Sequence, residues 1–209
     1  MNVAKLPQNW NQLSDLALIG PMDFTLNSPL SSETGLIFVD GGTRHLHRFA
    51  NHPYKYSLGD GDSAPSGLKF DQLFDPVKDE TDLELALQTL PKHSFALSLW
   101  GFLGGRRDHE LAAYGAVAHF LLDRPEHNVV HFDEVNKILA PGSHQLEFSG
   151  GFSLLAFYPT TLHLDGNIDY KSEDVIELRP FSGRGISNKA YGPFELTCNS
   201  PLLLWRGDA

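Results

Sequence analysis

The sequence predicts an N-terminal α/β domain with a mostly parallel sheet, followed by a C-terminal antiparallel β-sandwich or barrel. Three observations carry this reading. Up to about residue 132, apolar strand-like runs alternate with helical patterns, the arrangement that builds a parallel sheet. Beyond about residue 140, short apolar runs are separated by Gly/Pro turn signals roughly every 8–17 residues, the texture of an antiparallel sheet. The 209 residues are 41% hydrophobic and 11% aromatic, enough for one large or two small cores and too much for a disordered chain. The expected domains are 1–140 and 141–209.

In chain order, Asp15–Met22 and Gly35–Val39 read as buried strands, each ended by Gly or Asp. Arg44–Asn51 fits a short helix and Tyr56–Leu58 a short strand. Asp82–Leu90 is built from good helix formers, and Asp79 and Asp82 open it, with Asp79 as a candidate N-cap. Ser94–Leu99 is a strand, Asp108–Leu122 a helix and Val129–Phe132 a strand. In the C-terminal part, turns are expected at Pro141-Gly142, Gly150-Gly151, Asp165-Gly166-Asn167, Ser182–Gly185 and Tyr191-Gly192-Pro193. They separate strands at 144–148, 152–158, 161–164, 175–178, 194–198 and 202–205.

Charge narrows the partners. With 16 basic and 26 acidic residues and a net charge of −10, the chain lacks a Lys/Arg run, so nucleic acid is a poor partner. The single cysteine, Cys198, excludes an intramolecular disulfide and a Cys-based zinc cluster and suits a reducing, cytoplasmic setting. The opening MNVAKLPQNWNQL lacks the apolar stretch of a secretory signal, and Leu111–Leu122 falls short of the ~20 apolar residues of a membrane span. No Gly-Lys dipeptide, H-E-x-x-H or G-x-S-x-G occurs. His45 and His47 read as surface side chains.

The aspartates are the informative residues. Asp40 follows the GLIFV strand and precedes Gly41-Gly42; Asp60 and Asp62 follow YKYSL; Asp79 and Asp82 precede or open a helix; Asp108 follows Gly104-Gly105-Arg106-Arg107. Each group sits where a strand hands over to a loop or helix, the edge of an open α/β sheet where ligands bind. Gathered carboxylates repel unless a cation compensates, and hard oxygen ligands of this density suit Mg²⁺. Glycines that let the backbone approach a ligand, with Arg106 and Arg107 suited to phosphate, point to metal-assisted phosphoryl transfer.

The ordered motifs Asp40-Gly41-Gly42, Gly59-Asp60-x-Asp62-Ser63, Lys78-Asp79-x-Thr81-Asp82 and Gly104-Gly105-Arg106-x-Asp108-His109 resemble those of the thiamin pyrophosphokinase family. Ser187-Asn188 resembles the Ser-Asn motif of its β-domain, and Pro201–Trp205 its final strand. The resemblance implies transfer of the pyrophosphoryl group of ATP to thiamin, giving thiamin diphosphate and AMP, by a homodimer with sites at the interface. It implies Asp40, Asp60, Asp62 and Asp82 as Mg²⁺ ligands, with Asp79 and Asp108 completing an acidic pocket and either serving as base. Arg106 and the backbone of Gly104 and Gly105 would hold ATP phosphates, beside His109 and the Gly41-Gly42 turn. Ser187 and Asn188 would face thiamin, with Tyr191 stacking on it.

Two departures stand out. Gly61 replaces a bulky apolar residue, and Thr43-Arg44 replace a small residue and Asn. They keep open a pyrophosphokinase acting on another heteroaromatic alcohol, and beside it a non-catalytic nucleotide or thiamin-phosphate binder.

Overall fold

The computed structural model describes residues 6–63, 67–133, 135–172 and 174–206; residues 1–5, part of the opening segment read above as no signal, lie outside this set. The chain forms two compact units, Met1–Ala116 and Val117–Ala209. The division falls earlier than the 140/141 boundary that the turn-rich texture suggests. The reason lies in the short strands β6 (Val129–His131) and β7 (Lys137–Leu139). They pair antiparallel with each other, and β7 pairs with the last strand, so they belong to the β-rich unit.

In the first unit, β1 (Asp15–Ile19), β2 (Gly35–Val39), β3 (Lys55–Gly59), β4 (Gln72–Leu73) and β5 (Ala96–Trp100) form a parallel sheet in the order β5-β1-β2-β3-β4. Every residue of β2 is buried, as expected of a parallel strand covered on both faces. One face of the sheet carries Ala17, Ile19, Leu36, Phe38 and Trp100, packed by Phe24, Leu26, Leu30, Leu46 and Phe49. The predicted first strand is shorter than expected. It stops at Ile19 because the Gly20 and Met22 amides turn to the carbonyls of Trp100 and Gly101.

The segment expected as a helix over 44–51 is a 3₁₀-helix over Asp40–Phe49 that begins at the very end of β2. Helix α1 (Asp82–Thr89) is capped by Thr81, not Asp79. The Thr81 hydroxyl accepts the Glu84 amide while the Glu84 carboxylate accepts the Thr81 amide, a reciprocal capping box. Asp82 is therefore the first helical residue, and Asp79 lies exposed in the preceding loop. Helix α2 (Arg107–Asp123) continues across the division between the units.

The second unit adds β8 (Gly142–Ala156), β9 (Thr160–Ile168), β10 (Ile176–Leu178), β11 (Asn188–Cys198) and β12 (Leu202–Arg206), in the order β10-β9-β11-β8-β12-β7-β6 with antiparallel neighbours. Three expected turns lie inside strands. Gly150 and Gly151 continue β8, paired with Ala190 and Lys189; residues 165–167 continue β9; residues 191–193 continue β11. The glycines mark distortion rather than reversal, because the β11/β9 register shifts between Ala190 and Phe194. Burial along β11 alternates, and its inward side chains join a core in which Phe152 and Phe194 stack at 5.2 Å with Phe148 against both. Among the described residues no helix is long and apolar enough to cross a membrane.

Candidate active site

The site is assembled at the carboxyl ends of the parallel strands of the first unit. β2 delivers Asp40 and β3 delivers Asp60, with Asp62 two residues on. Each of these three offers a carboxylate oxygen within 4.8 Å of the others. Local structure is committed to this convergence. Asp40 holds φ at 44°, a left-handed conformation that costs about 1–2 kcal/mol for a residue with a Cβ. The Thr43 hydroxyl fixes the turn by donating to the Asp40 carbonyl at 2.7 Å. Gly42 lies against the end of β1, where a Cβ would sit 1.9 Å from the Ile19 carbonyl oxygen, so no other residue fits. Gly61 turns the chain at φ 82° between the two aspartates, a conformation that a bulky residue there would resist.

Neighbouring polar groups hold the second arm of the cluster. Asp71 accepts both the amide and the hydroxyl of Ser57 at 2.8 Å, tying the segment after β3 back onto the strand. The Asp62 amide donates to Asp60, and the Ser63 hydroxyl donates to Asp62 at 2.8 Å.

Lys78 joins Asp82 to this group. Its ammonium lies 2.5 Å from Asp60 and 3.3 Å from Asp82, and its side chain is only 7% exposed. Burial alone would lower the Lys78 pKa, but the contacts with Asp60 and Asp82 outweigh it and keep the ammonium charged. At Asp60, burial would raise the pKa, yet the hydrogen bonds from Lys78 and the Asp62 amide hold it below the usual carboxylate range. Asp82 goes the other way. Burial, with the charges of Asp60 and Asp40 adding to it, pushes its pKa to about 6 against the pull of Lys78.

The donor set suits a hard divalent cation. Asp40 Oδ1 is buried and accepts no hydrogen bond from the described residues, Asp82 is driven toward protonation, and one ammonium is shared by two of the four carboxylates. Sequence reasoning quoted Lys78 within its motif and gave it no role. Its place beside Asp82 in the same short Lys78-Asp79-x-Thr81-Asp82 motif is the one sequence signal that points to it.

The loop after β5 holds the basic and glycine residues. β5 and β1 are neighbours while the sheet continues from β1 in the other direction, so this loop leaves the sheet at its topological switch point. Gly104 and Gly105 amides converge on one oxygen of Glu110, at 2.5 and 3.1 Å. Arg106 grips Asp108 through two hydrogen bonds, at 2.5 and 3.1 Å, both side chains exposed. The hydrogen bond from Arg106 lowers the Asp108 pKa to about 2. Asp108 and Arg106 are thus partners of each other, and His109 is exposed in the same turn of α2. Glu110 was absent from the sequence-based site.

Arg44 does not stand free. It donates to the Pro21 carbonyl and pairs with Asp23 at 3.2 Å. His45, expected at the surface, is buried and hydrogen-bonded to the Met22 carbonyl at 3.1 Å, and Arg48 reaches the Phe24 carbonyl. The 3₁₀-helix thereby anchors the segment after β1.

Within the β-rich unit, Ser187 takes φ 63° and its amide donates to Ser153. Asn188 is buried and accepts the amides of Tyr170 and Lys189. It borders a small pocket with Leu154, Leu162, Leu164 and Leu178, rimmed by Tyr170 and Arg184. Tyr191 is exposed, its hydroxyl donating to Asp169 while the Lys189 ammonium lies 5.2 Å from the ring centre.

A family model described as thiamin pyrophosphokinase, catalytic domain, matches residues 26–130, which is just over half the chain and holds Asp40, Asp60, Asp62, Asp82, Arg106 and Asp108. Comparison with curated proteins finds no match. Among solved structures, thiamine pyrophosphokinase from Bacillus subtilis superposes with a TM-score of 0.68 at 20% identity, covering 93% of this chain and all of that one. Thiamin pyrophosphokinase from Candida albicans gives 0.70 at 13% identity over 96% of this chain and 90% of that one. The yeast enzyme gives 0.64 at 14% identity, over 98% and 91%. At these identities the likeness is one of fold, and it extends through the β-rich unit. With the ordered motifs and the matched catalytic segment, the chain belongs to the thiamin pyrophosphokinase family.

Proposed function

We propose that this chain transfers the pyrophosphoryl group of ATP to the hydroxyl of thiamin, producing thiamin diphosphate and AMP, the ATP-dependent diphosphotransferase activity of its family. The observation that carries the reading is the convergence of Asp40, Asp60 and Asp62 at the ends of two adjacent parallel strands, with Asp82 tied in through a buried lysine.

Asp40, Asp60, Asp62 and Asp82 would hold Mg²⁺. When bound, it would neutralise charge on the triphosphate as the α–β phosphoanhydride bond breaks and the thiamin oxygen bonds to the β-phosphorus. The chain's own part is chiefly orientation. Lys78 keeps Asp60 ionised and gathers Asp82 toward it, so the acidic face is assembled before substrate arrives. Gly104 and Gly105 present paired amides to phosphate oxygens, with Arg106 beside them and His109 and the Gly41-Gly42 turn bordering the nucleotide. Asp108 is a poor base while Arg106 holds it, and its role is to aim that guanidinium. Asp79, exposed ahead of the Thr81 cap, is left as the carboxylate able to take the thiamin proton. The β-rich unit offers Ser187, Asn188 and Tyr191 to thiamin and serves as the dimerisation domain of a cytoplasmic homodimer.

The test is chromatographic detection of AMP and thiamin diphosphate from ATP and thiamin, with Mg²⁺ and with EDTA. Equal amounts of both products, in the Mg²⁺ sample only, support the reading. AMP and inorganic pyrophosphate formed without a thiamin product would mean that water takes the pyrophosphoryl group and thiamin is not the acceptor.

A further inference from the structure

The Gly104-Gly105 amides are already occupied by an anion, and that anion belongs to the chain. One oxygen of Glu110 accepts both amides, at 2.5 and 3.1 Å, from the first turns of α2. Two donors aimed at a single carboxylate oxygen have the geometry that a phosphate oxygen needs. The neighbouring guanidinium is satisfied in the same way, since Arg106 is held by Asp108. The Gly104 and Gly105 amides and the Arg106 guanidinium therefore rest on carboxylates of the same helix turn.

We propose that Glu110 tunes the affinity of the site for the nucleotide. Its carboxylate competes with the ATP phosphates for the Gly104 and Gly105 amides and so sets how tightly the triphosphate is held. This rests on the reading of the 104–105 loop as the phosphate-binding element. The physical consequence has a definite sign. A ligand that uses these amides must first displace Glu110, and a negative charge left nearby then repels it. AMP, once formed, faces the same competitor, so Glu110 favours release of the spent nucleotide. A carboxylate that merely capped the loop would have the opposite effect, because losing it would loosen the amides and weaken nucleotide binding.

The test is titration calorimetry of wild type, Glu110→Ala and Glu110→Gln with α,β-methylene-ATP and Mg²⁺, an analogue whose α–β linkage cannot be cleaved. Circular dichroism and thermal melting would establish that each variant is folded. Glu110→Ala should bind about fivefold more tightly, the change expected when an exposed contact of ~1 kcal/mol no longer has to be broken. Glu110→Gln, which keeps an acceptor but loses the charge, should gain less. Equal or weaker binding by folded Glu110→Ala, with wild type binding normally, would overturn the role of Glu110 and leave the nucleotide site standing. Absence of binding in wild type as well would overturn the nucleotide reading itself, and this inference with it.

Discussion

Each carboxylate of the site has its own environment, and substitution should reveal the differences. Asp62 is the exposed member of the converging trio, so Asp62→Asn should fold as wild type does. Its turnover should fall by at least about 10- to 100-fold, the loss typical even of groups that only orient a metal ligand. Wild-type-like turnover would remove Asp62 from the metal set. Lys78 makes a prediction of another kind, because it is buried between two charges. In metal-free buffer Lys78→Met should lose about 3 kcal/mol in urea denaturation, since it strands the Asp60 and Asp82 carboxylates. Added Mg²⁺ should recover part of that loss. His45 gives a pH signature. Burial lowers its pKa below 6.5, with Arg48 and Arg44 adding to the effect against the Met22 hydrogen bond and the Asp23 charge. The unfolded chain then binds a proton that the folded chain resists, so stability drops as pH falls below about 6.5. Urea midpoints at pH 7.5 and pH 5.5 should diverge more for wild type than for His45→Gln; equal divergence would contradict this. The aspartates were legible in the sequence because each sits where a strand or loop hands over to the next element, Asp40, Asp60 and Asp62 directly beside glycine. Lys78 and Glu110 were not assigned, because a salt bridge and a loop contact depend on which residues the turns bring together.

At the level of elements, the strands that carry the site were the easiest to read. Gly35–Val39 is an unbroken apolar run, and it is the strand β2 with those same limits. The junction that follows it is rigid by construction. Gly42→Ala would place a Cβ 1.9 Å from the Ile19 carbonyl, and backbone cannot retreat as a side chain does. The variant should lose about 3 kcal/mol or more, or fail to fold, measured by the urea midpoint. An unchanged midpoint would show that the β1–Gly42 approach is not tight. What misled at this scale was glycine in the β-rich unit. Gly150-Gly151, Asp165-Gly166-Asn167 and Tyr191-Gly192-Pro193 carry turn chemistry, yet long cross-strand ladders and a register shift absorb them into β8, β9 and β11. Local preference yielded to pairing that the local sequence does not contain. The cap of α1 was misplaced by two residues for a related reason, since the capping box from Thr81 to Glu84 competes with the more familiar aspartate.

Over the whole chain, the turn-rich texture begins near residue 140, whereas compactness divides the chain at 116/117. β6 and β7 are short apolar runs that could join either kind of sheet, and only their antiparallel pairing assigns them. The fold likeness across 93–98% of the chain at 13–20% identity shows how little of the sequence the architecture demands. The family match spans the segment that holds the ordered carboxylates and the Gly-Gly-Arg loop, and these residues bear the functional claim. That claim is best tested by following label from ATP carrying ³²P at the β-phosphate, with thiamin and Mg²⁺, and resolving the products. Attack at the β-phosphorus predicts that the label appears in thiamin diphosphate, with AMP unlabelled and equal in amount. Label recovered in ADP, or in no thiamin product, would contradict pyrophosphoryl transfer to thiamin at this site.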